Sequence, residues 1–174
     1  LTTYIAREIN NISGTKFITI EHSGLAAITD ASAMGPGPKP RKARLNGRFD
    51  LLLWWANGTP RAVIEVKNQL AGPTVWYSDI ERILAVLDMR KEDSSFKFGL
   101  FAYYYSALPG KIYSAEQKII AKLQKTEDLI NLEIEKSSRT RGRFTVMQKF
   151  SEKIHDYGEY GAWAAACIMI QRVR

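Results

Sequence analysis

Asp50, Glu65 and Lys67 bring two carboxylates and an ammonium onto two adjoining runs of strand-like sequence, Arg48–Ala56 and Arg61–Asn68. Hard oxygen donors with a cation beside them can bind a divalent metal and handle phosphate. Side chains alternate along a strand, so Asp50, Leu52 and Trp54 share one face of the first run, and Phe49, Leu51, Leu53 and Trp55 the other. In the second run Val63, Glu65 and Lys67 share a face. Asn57-Gly58 tolerates positive φ at both central positions and predicts a two-residue hairpin loop. Such a loop pairs Ala56 with Thr59 and sets Asp50 opposite Glu65, with Cβ atoms about 4.5–5.5 Å apart. An even-length turn keeps both carboxylates on one face, whereas a three-residue turn points Asp50 away, and Pro60 bears on that choice.

Two carboxylates this close repel, and neither stabilises strands otherwise built of Leu, Trp, Ile and Val. A divalent cation removes the conflict. Mg²⁺, or Mn²⁺ in its place, keeps several waters, so Asp50, Glu65 and the Val66 backbone carbonyl leave room for a phosphate and a nucleophile. Lys67 adds a positive charge on the same side. The plain alternative is a surface hairpin with a wet face. Against it stand Leu52, Trp54 and Val63 on that face, and the apolar runs Leu51–Trp55 and Ala62–Ile64, which suit strands covered on both sides.

With these residues the chain resembles the PD-(D/E)XK, or restriction-endonuclease-like, nuclease superfamily. The matching segments are Arg48-Phe49-Asp50 and Ile64-Glu65-Val66-Lys67, with Phe49 where the family name has Pro. The resemblance implies an α/β fold with a central mixed β-sheet flanked by helices, an αβββαβ core over residues 1–138. Residues 139–174 form a C-terminal extension to the same single domain. It implies Asp50, Glu65 and Lys67 as catalytic residues, DNA rather than RNA as substrate, and a homodimer as one arrangement, because two sites cut two strands. Glu8, on a first helix, and Glu21, near the end of a first strand, are the carboxylates the family would offer to the metals, leaving one ion or two open. The family also carries an Asp-X-X-Arg-like pair that braces the site, matched by Asp79 and Arg82. Three residues apart on a helix, they read more simply as an ordinary surface pair. Gln69 shares the face of Glu65 and Lys67 and reads as a supporting residue, for substrate or for a water, or equally as a polar residue at the strand end.

The positioning elements follow from spacing. Ile5, Ile9 and Ile12 predict an amphipathic helix ending near Ser13-Gly14. Lys16–His22 reads as a strand, with His22 as a rim or structural residue. Ser23–Gly47 reads as a loop whose Lys39, Arg41, Lys42 and Arg44, with Arg48 beyond them, suit a mobile arm on the phosphate backbone. After Ala71-Gly72-Pro73, Ile80, Ile83, Leu84 and Leu87 predict a helix over Trp76–Arg90. Phe96–Ser106 reads as a strand with at least two of Tyr103, Tyr104 and Tyr105 in the core. Ile112, Ala115, Ile119 and Leu123 mark a helix extending toward Glu135, and Arg141–Phe150 with Ala162–Gln171 suggest an added hairpin.

Composition limits the function classes. With 174 residues and 45% hydrophobic content, the chain can bury its own core. It has no apolar run long enough for a membrane span. The single cysteine, Cys167, permits no internal disulfide and reads as a small buried residue; with the two histidines far apart, a zinc site is unsupported. Twenty-five Lys and Arg against eighteen Asp and Glu give a charge of +7, which favours nucleic acid as partner. Leu1–Glu8 lacks the pattern of a secretory signal, so a cytoplasmic setting is expected. A fold of this kind can also serve, without catalysis, as a nucleic-acid-binding or protein-interaction module.

Overall fold

Strand alternation in the hairpin and helical spacing around it produce a mixed seven-stranded sheet with helices on both faces. The computed structural model describes residues 1–14, 17–69, 74–89, 92–141, 144–150 and 154–173. Lys16, Ala71-Gly72-Pro73 and Arg90, where boundaries were expected, lie outside the described residues. In chain order the elements are α1 (Thr2–Asn11), β1 (Phe17–Ser23), α2 (Gly24–Asp30), β2 (Arg48–Trp54), β3 (Pro60–Lys67), α3 (Thr74–Asp88), β4 (Phe98–Ala107), α4 (Ala115–Arg141), β5 (Phe144–Phe150), β6 (His155–Asp156) and β7 (Ala162–Arg172). Short 3₁₀ turns occupy Arg41–Ala43 and Gly158–Tyr160. The sheet runs β1-β2-β3-β4-β7-β5, with β6 on β7. β3 and β4 are parallel, joined through α3; the other pairs are antiparallel.

The two faces bury different cores. Ala6, with Ile5 and Ile9 beside it, packs α1 over Leu51, Ile64 and Val66. On the opposite face Ile28 of α2, Ile80, Ile83 and Leu84 of α3, and Ile119 of α4 pack against Leu52, Val63, Phe101 and Ile168. Each such Ile or Leu contributes roughly 1.5–3 kcal/mol by leaving water. Tyr103 and Tyr105 are core residues, as expected, and the Tyr105 hydroxyl shares a 2.6 Å hydrogen bond with Thr126 of α4.

Two segments differ from expectation. Ser23–Gly47 contains α2, a helix too short for its periodicity to register, started where the Ser23 hydroxyl accepts from Ala26 N–H and anchored by buried Ala27 and Ile28. The tail is no appended hairpin. β7 pairs with β5 as anticipated, but also with β4 along its whole length, from Phe98↔Gln171 to Ala107↔Ala162. Its Ala164, Ile168 and Ile170 are buried in the core that holds α3, so β7 completes that core.

Candidate active site

The hairpin reaches the expected register by an unexpected route. Trp55 N–H donates to Thr59 O and Gly58 N–H to Trp55 O, so the loop is three residues, Ala56-Asn57-Gly58, with Gly58 at φ +78°. The loop closes on a left-handed glycine, as three-residue hairpin loops commonly do. Alone it would shift the strands by one and turn Asp50 away. A bulge restores the count: Trp54 faces Pro60, but Leu53 faces Ala62, leaving Arg61 as the extra residue. Pro60 has no N–H for the ladder, so the irregularity falls where least is lost. From Leu53↔Ala62 the pairing continues through Leu52↔Val63 and Leu51↔Ile64, which brings Asp50 level with Glu65.

At that level the strands separate, and the Asp50 side chain bridges them. Its Oδ2 accepts from Val66 N–H at 2.7 Å. Strict alternation also fails here: Phe49 joins the core beneath α3 while Leu51 joins the core beneath α1, so the two do not share a face. On β1 the ladder residues Ile20↔Leu51 and His22↔Phe49 flank Glu21, which stands level with Asp50 at φ +55°, exposed. Glu21, Asp50 and Glu65 therefore occupy one row across three strands. His22 is structural, its ring edge-on to Trp54 with centroids 5.2 Å apart.

Glu65 is almost wholly buried, and its partner is Arg82. Arg82 Nη1 donates to Glu65 Oε1 at 2.8 Å and to Arg48 O at 2.7 Å, while Nε donates to Ala43 O at 3.2 Å. The guanidinium lies 4.0 Å above the Phe49 ring centroid. Burial pushes the Glu65 carboxyl up to about 8; Arg82 opposes the shift and the neighbouring Asp50 adds to it. Burial likewise lowers the Arg82 pKa, with Glu65 working against that.

Lys67 is held by a second buried acid. Its Nζ lies 2.9 Å from Asp79 Oδ2, an ion contact without hydrogen-bond geometry, and Arg44 Nη2 donates to Asp79 Oδ1 at 2.7 Å. Asp79 and Arg82 are thus not a surface pair. They are 2% and 3% exposed, and each reaches a charged residue of β3 instead of the other. The available signal was their helical phase: Asp79 is three residues after Trp76 and four before Ile83, within the apolar stripe.

The other candidates are dispersed. Glu8 is exposed on α1, paired with Arg7, and α1 covers the sheet face opposite to α3. Gln69, past the end of β3, donates to the Ser106 hydroxyl at 3.2 Å. The basic segment is not a free arm: the 3₁₀ turn Arg41–Ala43 is tied to α3 by Arg82, by Lys42 paired with Glu81, and by the adjoining Arg44 with Asp79. Lys39, Arg41 and Arg48 are exposed. Cys167 is half-buried, and burial raises its thiol pKa.

Among the described residues, no three His, Cys, Asp or Glu side chains are gathered into a metal-binding group. A pair of carboxylates nevertheless fits Mg²⁺, which takes few protein oxygens and keeps its waters. Asp50 uses one oxygen on Val66 and Glu65 one on Arg82. Glu65 is a desolvated acid destabilised by its neighbour, a conflict that a bound cation relieves. No protein-family model matches the chain, and no curated protein or solved structure matches it. Among the described residues, no helix is long and apolar enough to cross a membrane.

Proposed function

We propose that the chain is a metal-dependent nuclease with a restriction-endonuclease-like αβββαβ core, an endonuclease hydrolysing phosphodiester bonds of DNA. The observation that carries this reading is the alignment of Asp50 with a buried Glu65 whose carboxyl is raised to about 8, with Lys67 two residues on. Asp50, Glu65 and the Val66 carbonyl would hold Mg²⁺ or Mn²⁺, with Glu21 the nearer of the two outer carboxylates. The ion would supply an acidified water and charge neutralisation at the scissile phosphate. Lys67 orients that water or neutralises the phosphoryl oxygens, and Asp79 keeps its ammonium in place. Arg82 of α3 fixes the Glu65 side chain. Lys39, Arg41 and Arg48 contact the DNA backbone, joined by Lys42 and Arg44 when phosphate replaces their α3 partners. A homodimer would present two such sites to the two strands, in a cytoplasmic setting.

Cleavage of circular and linear DNA in Mg²⁺, Mn²⁺ or EDTA, for the parent and Glu65→Gln, tests this. Metal-dependent nicking or linearisation that disappears in the variant is the expected result. The Arg82 contact, which already occupies one oxygen of Glu65, favours a second reading: a module of this fold that binds nucleic acid without cutting. Metal-independent, salt-sensitive binding with no cleavage of any substrate would select it.

A further inference from the structure

A second cleft opens beyond the carboxyl end of β3. Its volume is about 630 Å³, within the range of about 300–1,000 Å³ usual for ligand sites. Gln69, two residues past Lys67 and beyond the end of β3, forms part of its wall, so the cleft begins where the strand carrying Glu65 and Lys67 ends. Lys118 and Lys122 of α4 line another side. Their ammonium groups donate to Leu108 O at 3.0 Å and Ser106 O at 3.4 Å, which fixes their positions and leaves donors for a ligand.

The third wall is aromatic: Tyr157, Tyr160 and Trp163. Tyr160 is 81% exposed and Tyr157 60%, so both rings are open to a partner. The loop that carries them is seated firmly. Gly161 has φ +99°, and a Cβ there would come within 2.5 Å of Ala107 O, so only glycine lets the loop close onto β4. Tyr157 N–H donates to Gly161 O, and Asp156 Oδ1 caps Gly158 N–H, which engages one oxygen of that acid; Glu159, between the two tyrosines, is exposed. Fixed ammonium groups opposite exposed rings match a polyanion whose bases are unstacked, because each base offers a π-face and each linkage a negative charge.

We propose that this cleft binds a single-stranded nucleic acid segment, its phosphates at Lys118 and Lys122 and a base against Tyr157 or Tyr160. The inference rests on the nuclease reading for its direction, since the strand would leave the catalytic row past Gln69. It makes DNA with unpaired ends, flaps or bubbles the preferred substrate class, ahead of continuous duplex.

The test is fluorescence anisotropy of a labelled oligothymidylate and of a duplex of equal length, in EDTA so that no cleavage intervenes. Tyr157→Ala/Tyr160→Ala should weaken single-strand binding by about tenfold or more and leave duplex binding unchanged. Tyr160→Phe should bind like the parent. Lys118→Ala/Lys122→Ala should lower the salt slope by about 1.4 on the single strand, at about 0.7 for each phosphate no longer neutralised. Thermal melting confirms that each variant is folded. Unchanged single-strand affinity in the tyrosine variant, or equal losses on single strand and duplex, overturns the proposal, even if the parent cuts DNA. Tyrosine-dependent single-strand binding by a parent that cuts nothing sustains the cleft and sinks the nuclease instead.

Discussion

Ile64 and Glu65 are neighbours in β3 and nearly equally hidden, 1% and 3% exposed, yet they belong to different kinds of interior. Ile64 lies beneath α1 among Ala6, Leu51 and Val66 and needs only shape. Glu65 lies beneath α3 and needs a counter-charge, which in turn needs the carbonyls of Ala43 and Arg48. Strand alternation thus divides one element into a face that stabilises by leaving water and a face whose burial costs free energy unless every partner is in place. Desolvated acids with specific charge partners are common at functional sites, so the second face is where chemistry is expected.

The comparison breaks most sharply at Arg82. Above about pH 8, where Glu65 is ionised, Arg82→Met leaves it buried without its cation, and a loss of about 3–5 kcal/mol is expected in chemical denaturation. Adding Glu65→Leu should recover much of it; no recovery would mean that Arg82 acts mainly through its backbone carbonyls. Ile64→Ala should cost about 2–5 kcal/mol through reduced burial and a cavity, and leave any metal dependence untouched.

A pH series separates the two faces more finely. Folding raises the Glu65 carboxyl from its ordinary 4.5 to about 8, so between those values the folded chain binds the extra proton. Stability from this group therefore falls as pH rises from about 4.5 to about 8, and Glu65→Gln should remove that slope. Denaturation midpoints at pH 5 and pH 8 read it directly; an identical slope in parent and variant would show Glu65 ionised throughout. Mg²⁺ binding should strengthen over the same window, because the ion must displace the proton. The smallest effect is expected at the exposed pair of Lys42 and Glu81, where Lys42→Ala should change stability by about 1 kcal/mol or less. A larger loss there would mean that the basic segment helps support the β3 charges.

The α/β class, the hairpin and the level pairing of Asp50 with Glu65 were legible because alternation and turn chemistry are local. The pairing was reached through two departures that cancel, the three-residue loop and the Arg61 bulge, and Pro60 was the visible sign of the second. What stayed hidden was non-local. Nothing within Asp79-Ile80-Glu81-Arg82 says that its acid and base reach different strand residues. Nor does an alanine-rich strand name its neighbours, so β7 read as an appendage. The seven residues of α2 were too few to show a period.

β7 joins two strands far apart from each other in the chain, β4 and β5. Synthesis is vectorial, and β7 is the last element described, yet it lies between β4 and β5. During translation β2 and β3 can pair early, carrying Asp50 and Glu65 in register, while β4 has one edge unpaired and lacks the Ala164, Ile168 and Ile170 side chains of its core. The charged row thus exists in outline before the scaffold that braces it is finished. The sheet is continuous only with β7 in the gap between β4 and β5.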